Sequence, residues 1–289
     1  MEKSSASPND SFTSAMTHTE EGLTCVPKRY IFHHPYVPIE PCSTNTGFIL
    51  TPTPSSSASV QLACKELGYF QVVNHGIPLS VMKDSATDFF NLPNEEKMHL
   101  LSPNVHGPVR YNTSLSDAEN KISFWRDFLK HYANPISNWI DLWPSNPACY
   151  NTKKLQEKLM EIIFESLGLN PNYLHEDVAE SSKVIAINFY PACPDPDLAL
   201  GLPPHTDYSL LSIILQRALI ALVGDHMEVL SNDRYKGVVH RATVNSEKKR
   251  LFIARLHSLA LRGLSDFLDF ISGEDIVEAK YIDKLKIDP

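Results

Sequence analysis

Apolar positions recur at helical spacing through much of the first half of the chain and gather into short continuous runs in the second half. Val60, Ala63, Cys64 and Leu67 lie three or four apart, which predicts a helix from about Ala58 that Gly68 stops. The run from Tyr69 to Val73 predicts a strand, and Asn74, His75 and Gly76 end it. A second helix is expected over Ile77 to Asn91, and another from Pro93, with Glu95 and Glu96 in its first turn. Leu155, Leu159, Ile162, Ile163 and Leu167 make one apolar stripe, so Thr152 to Leu167 reads as a core-facing helix capped by Gly168. Asn170 and Pro171 open a further helix. Strands then take over at Val184–Tyr190, from near His205 through the apolar run to Leu215, and at Ala218–Val223, Gly237–His240 and Arg250–Leu256. Helices first and strands second predict an α+β fold with an antiparallel sandwich or barrel in the second half.

Three stretches lack this order. Residues 1–57 are rich in Ser, Thr and Pro without periodicity, and read as a disordered or extended N-terminal arm. From Leu100 to Tyr150 the chain is aromatic and loop-like, with Phe124, Trp125, Trp139 and Trp143 taken mainly as packing residues. Asp195 to Pro204 reads as a loop.

Composition narrows the classes. A net charge of -8 provides no basic footprint, so no nucleic-acid partner is expected. The apolar run Leu210 to Val223 is interrupted and too short to span a bilayer, so no membrane partner is expected either. Five cysteines without a C-x-x-C pair point to reduced, intracellular usage. The expectation is a cytoplasmic monomer.

The chemistry centres on Gly201 to Leu215. If a strand begins near His205, the two-residue period puts His205 and Asp207 on one face, where an imidazole and a carboxylate can grip one metal ion. With 12 histidines in the chain, chance supplies on the order of one His-x-Asp match, so spacing alone is weak. His175 and Asp177 repeat the spacing inside an expected helix, where it points the side chains apart. His240, downstream in a strand-like run, would complete a two-His-one-carboxylate triad.

The wider pattern is more specific. Asn188 to Tyr190, Pro203 to Asp207, Gly224 and Asp225, Glu228 to Asn232, Tyr235 and Lys236, Val239 to Arg241, Asn245 and Ser246, and Arg250 together resemble the plant 2-oxoglutarate- and Fe(II)-dependent dioxygenases. Ala63 to Ile77 resembles the N-terminal helix and strand of that family, and the branch most similar includes flavanone 3-hydroxylase-like and salicylate-hydroxylating enzymes. The resemblance implies a double-stranded β-helix (jelly roll) core over 181–261, a helical N-terminal region over 58–180 and a helical tail over 262–289. It implies His205, Asp207 and His240 as Fe(II) ligands, with positions left open for 2-oxoglutarate and O2. Arg250 matches the position that clamps the distal carboxylate of 2-oxoglutarate, and Tyr190 a second hydrogen-bonding position for it. The implied reaction couples decarboxylation of the oxo-acid to hydrogen abstraction from a small aromatic substrate. His75, His226 and His257 match no catalytic role.

The chain also departs from that pattern. Where the family has Arg-x-Ser, this chain has Arg250, Leu251 and Phe252, so a bulky ring stands in place of a hydroxyl donor. Leu210–Gln216 runs directly into Arg217, where relatives place about two more strands, roughly 20 residues. Shorter joins are expected at Asp84–Ser85, at Asn151–Lys153 and at Leu261–Arg262. Strands are therefore expected to be missing from the jelly roll. The alternative reading is a shortened chain that binds metal or a small aromatic ligand without turnover; a cupin-like isomerase or zinc hydrolase shares only His-x-Asp and a distal histidine.

Overall fold

The computed structural model describes residues 14–31, 49–50, 57–75, 79–102, 104, 107–113, 123–134, 136–142, 163, 165, 183–215 and 219–258. In chain order the helices and strands are α1 (Ala15–Glu20), β1 (Ile49–Leu50), α2 (Ser57–Glu66), β2 (Tyr69–Val72), α3 (Leu79–Asn91), α4 (Asn94–Lys97), β3 (Val109–Thr113), β4 (Asp127–Tyr132), α5 (Ile136–Trp139), β5 (Lys183–Tyr190), β6 (Leu200–His205), β7 (Leu211–Leu215), β8 (Leu219–Val223), α6 (Asp225–Leu230), β9 (His240–Thr243) and β10 (Arg250–His257). The expected helices over 152–167 and from 171, and the joins at Asn151–Lys153 and Leu261–Arg262, lie outside the described residues. α3 runs unbroken through Asp84 and Ser85.

Two sheets make the core. The large one has the order β1-β2-β8-β7-β10-β5-β4-β3, and the small one pairs β6 with β9. Every pairing in the large sheet is antiparallel except β1 with β2. The continuous apolar runs of β5, β7 and β8 suit their place inside the sheet, where both faces are covered. Phe70, Phe90, Phe189, Ile213, Leu219 and Ile253 are buried together between that sheet and α2 and α3.

The small sheet packs on the large one at Tyr190. A Cβ added to Gly201 would lie 2.5 Å from the Tyr190 ring, so only glycine lets β6 come this close. Tyr190, Leu202, Ala242, Val244 and Phe252 share the cluster between the sheets.

Three expectations change. The loop-like aromatic stretch contains β3 and β4, which complete the large sheet at one end. Their polar residues disguised them: the Arg110 and Arg126 guanidiniums lie 5.2 and 4.7 Å from the Phe128 ring, and the Lys130 ammonium lies 5.4 Å from Tyr132. Those cations are covered by rings instead of pointing to water, so the strands show no clean polar–apolar alternation. The N-terminal arm is also folded over 14–31. Asp127 accepts hydrogen bonds from the Ala15 and Met16 amides at 3.0 and 3.1 Å and so closes the start of α1 with a carboxylate from β4. Finally, the expected loop over Asp195–Pro204 contains β6, and His240 begins β9 where the sequence suggests a strand ending there.

The expected gap between Leu215 and Arg217 has a definite consequence. β7 and β8 pair directly, Leu211 opposite Val223 through to Leu215 opposite Leu219, with only residues 216–218 between them. The large sheet is therefore continuous across the join. Among the described residues, β6 and β9 pair only with each other. No helix among the described residues is long and apolar enough to cross a membrane.

Burial has an acid cost. Desolvation pushes His131 and His226 down to about 4 and His257 down to about 3, so all three are neutral in the folded protein at neutral pH. The unfolded chain takes up those protons near its ordinary histidine value, so stability is full above about 6.5 and falls as pH drops toward the folded values. Each histidine is expected to remove about 1.4 kcal/mol by pH 5.5. Urea unfolding at pH 7.5 and 5.5 should show this loss, and His226→Gln should make it smaller.

Candidate active site

The prolines come first. Pro203 and Pro204 cannot donate to a ladder, and β6 accommodates them with register shifts against β9 between Leu200 and Leu202 and between Leu202 and His205. Pairing resumes at His205, directly opposite His240. The strand therefore ends at His205 instead of beginning there, and the two-residue period does not carry Asp207 to the site. A loop does. The Asp207 carbonyl accepts from the Asp225 amide at 2.8 Å, and the Thr206 hydroxyl donates to the Asp225 carboxylate at 2.9 Å. Gly224 lies against this loop so closely that a Cβ there would meet the Ser209 carbonyl oxygen at 1.9 Å and that of Asp207 at 2.7 Å.

The result is a convergent donor set. Asp207 Oδ1 is 3.8 Å from His205 Nε2 and 3.9 Å from His240 Nε2, and the two imidazole centroids are 4.3 Å apart. One ligand atom from each residue lies within 4.8 Å of the others. His205 Nδ1 donates to the Pro203 carbonyl at 2.8 Å, and His240 Nδ1 donates to the Val238 carbonyl at 3.0 Å. A carbonyl only accepts, so each Nδ1 carries the proton and each Nε2 presents a lone pair to the centre. Burial, then the neighbouring His240, lowers the His205 pKa and favours that neutral form. Two neutral imidazoles and one carboxylate fit a divalent iron ion, with coordination positions to spare.

Beside this set, two strands of the large sheet, β5 and β10, line up their side chains. Arg250 at the start of β10 stands opposite Tyr190 at the end of β5, and Phe252 stands opposite Asn188. The Arg250 guanidinium lies 5.7 Å from the Tyr190 ring and 5.3 Å from the Phe252 ring, and donates to the Thr243 carbonyl. Phe252 also packs edge-on against Tyr190, with centroids 5.3 Å apart. The ring that replaces the expected hydroxyl thus occupies the face shared by both residues named for the oxo-acid.

Sequence reasoning gave Arg126 no role and took Asn188 only as part of the family pattern. Arg126, just ahead of β4, donates to Asn188 Oδ1 at 2.8 Å, and the Tyr190 hydroxyl lies against its guanidinium without the geometry of a full hydrogen bond. The signal was present as an arginine inside an aromatic, apolar stretch, Phe124 to Leu129. His75, His226 and His257 stay outside the convergent group, as expected.

This fold and donor set define a class: a jelly-roll protein with a facial triad suited to ferrous iron. Comparison with known proteins makes the class specific. Residues 50–146 match the family described as non-haem dioxygenase in morphine synthesis N-terminal, and residues 181–258 match the 2OG-Fe(II) oxygenase superfamily. The chain is 40% identical over 233 residues to flavanone 3-dioxygenase 3 of Oryza sativa subsp. japonica, covering 69% of this chain and 71% of that protein. It is 36% identical over 303 residues to 2-oxoglutarate-dependent dioxygenase 21, chloroplastic, of the same organism, covering 84% and 90%. Among solved structures, JOX2 in complex with 2OG, Fe and JA matches with a TM-score of 0.72 and 26% identity over 86% of this chain and 83% of that one. The chain belongs to the 2OG-Fe(II) oxygenase superfamily and is a 2-oxoglutarate-dependent dioxygenase of the plant type, a family whose cofactors are Fe(II), 2-oxoglutarate and O2. The second rice alignment is longer than this 289-residue chain yet takes in only part of it, so that relative carries residues for which this chain has none.

Gly224→Ala should push the Asp207 loop away from the histidines. The expected outcome is a roughly 10–100-fold weaker affinity for Fe(II) or Co(II) in an anaerobic titration, with the fold retained by circular dichroism.

Proposed function

We propose that this chain uses His205, Asp207 and His240 to hold Fe(II), and Arg250 and Tyr190 to hold 2-oxoglutarate, while it hydroxylates or desaturates a small phenolic, flavonoid-type metabolite. The observation that carries the reading is the convergence of three donor atoms within 4.8 Å with both imidazoles fixed in the metal-binding tautomer. The flavanone-acting relative supports the phenolic substrate class.

Bound iron with 2-oxoglutarate and O2 supplies the oxidising chemistry that removes hydrogen from an unactivated carbon. The chain's own residues do the rest. The carbonyls of Pro203 and Val238 hold the two imidazole rings, and the Thr206–Asp225 contact holds the carboxylate arm. Arg250 brings a planar guanidinium that stays charged when partly buried and can grip a carboxylate with two parallel hydrogen bonds. Tyr190, only 1% exposed, is the fixed floor beneath it. The rings of Tyr190 and Phe252 keep water from the oxo-acid tail and strengthen the ion pair there.

The direct test is succinate formation from 2-oxoglutarate with added Fe(II), ascorbate and a panel of flavanones and simple phenols. Activity is expected in the native chain and its loss below detection in Asp207→Ala; a soluble, folded native protein that forms no succinate would refute the proposal. A second expectation concerns the substituted hydroxyl. Phe252→Ser should restore a donor to the oxo-acid carboxylate and tighten 2-oxoglutarate binding by roughly 3–10-fold in anaerobic calorimetry.

A further inference from the structure

Arg126 is a buried cation, 5% exposed, without a direct ion pair among the described residues. The obvious candidate, Asp127, is its neighbour in the chain at the first position of β4, but its carboxylate is committed elsewhere. Asp127 has turned away to accept the amides of α1. Arg126 spends one Nη1 hydrogen on Asn188 and lays its plane on Phe128, while its Nε has no partner. A buried guanidinium keeps its charge, and the Asp127 carboxylate offsets it only from a distance, without contact. Such a site calls for an anion.

Its position says which one. Asp127 stands opposite Phe189 across β4 and β5, Arg126 precedes it with its guanidinium close to the Tyr190 hydroxyl, and Tyr190 stands opposite Arg250 across β5 and β10. Two arginines therefore flank one tyrosine, Arg250 from the start of β10 and Arg126 from the residue just ahead of β4. Strands are about 4.8 Å apart, so the two backbones are separated by about 10 Å, a span two arginine side chains can close over the ring. Arg126 is also near enough to the triad for its charge to act on His205.

Resting on the proposed oxo-acid site, we propose that Arg126 is the second arm of a two-arginine clamp, gripping the distal carboxylate of 2-oxoglutarate together with Arg250 across Tyr190. Asn188 is the positioning residue that holds the Arg126 plane. The second arm supplies the donor that Phe252 does not.

The test uses the full chain loaded with Fe(II) under anaerobic conditions and two oxo-acids, 2-oxoglutarate and 2-oxopentanoate. The second has the same chain length and the same metal-binding end but no distal carboxylate. Calorimetry of Arg126→Gln should show a loss of 2-oxoglutarate affinity of about 10–100-fold, the range for a hydrogen-bonded charge contact, with 2-oxopentanoate nearly unchanged. Arg126→Lys should recover part of the loss, because the charge returns without the fork. Equal losses for both acids would show that Arg126 merely supports the fold, and no loss would show that it does not touch the co-substrate; either result overturns the clamp. A native protein that binds 2-oxopentanoate as tightly as 2-oxoglutarate also overturns it, yet leaves the oxo-acid reading standing. Binding of neither acid removes both.

Discussion

The contact between Gly201 and Tyr190 is where the two sheets of this protein are joined, and the site depends on it. β6 comes down on the tyrosine ring where the absence of a side chain at 201 lets it, and the same strand ends four residues later at His205. Through the His205–His240 pair, the position of the second histidine follows from the first. Tyr190 meanwhile lies between the arginines at the end of β5. One packing contact therefore sets the distance between the imidazoles and the cations, the two groups proposed to hold opposite ends of a single dicarboxylate.

The join between β7 and β8 shows why a chain can lose strands here and keep its large sheet. Strands that pair as antiparallel neighbours can be linked by a short connection, because the end of one lies beside the start of the next. β7 and β8 meet that condition, with Leu215 opposite Leu219. The apolar runs on both sides remain covered, and the ladder passes without interruption from β2 to β10. The β6–β9 pair stands apart from that ladder. A two-stranded sheet is marginal by itself, and this one relies on the cluster around Tyr190, Trp125 and Tyr30 for support. Tyr30 and Trp125 meet edge-on with centroids 4.9 Å apart, so the folded N-terminal segment braces the same cluster.

That dependence explains what could and could not be read from the residues. β5, β7, β8 and β10 were legible because burial on both faces demands continuous apolar runs. α2 and α3 were legible because one face of each meets the core. β3 and β4 were not, since Arg110, Arg126 and Lys130 sit over aromatic rings contributed by Phe128 and Tyr132, and no local pattern announces a ring-covered cation. α1 was hidden for a related reason: its first amides are closed by Asp127, more than a hundred residues away. The triad residues were legible, but the argument for them was partly wrong. His205 and Asp207 do not share a strand face; a loop pinned to Asp225 and Gly224 brings the carboxylate back.

The same logic bears on Phe252. Judged alone, a ring in place of a hydroxyl removes a donor from a carboxylate site. Judged with its neighbours, it packs edge-on against Tyr190 and beside the Arg250 guanidinium, and it stands opposite Asn188, the residue that holds Arg126. The ring excludes water from a cradle already rich in guanidinium donors, and in that drier setting each remaining charge contact is stronger. The lost hydroxyl would bring the carboxylate a single donor, whereas a guanidinium brings a full opposite charge and two parallel donors. A site with a second arginine can therefore tolerate an apolar residue at 252, whereas one with Arg250 alone would lose a large part of its grip.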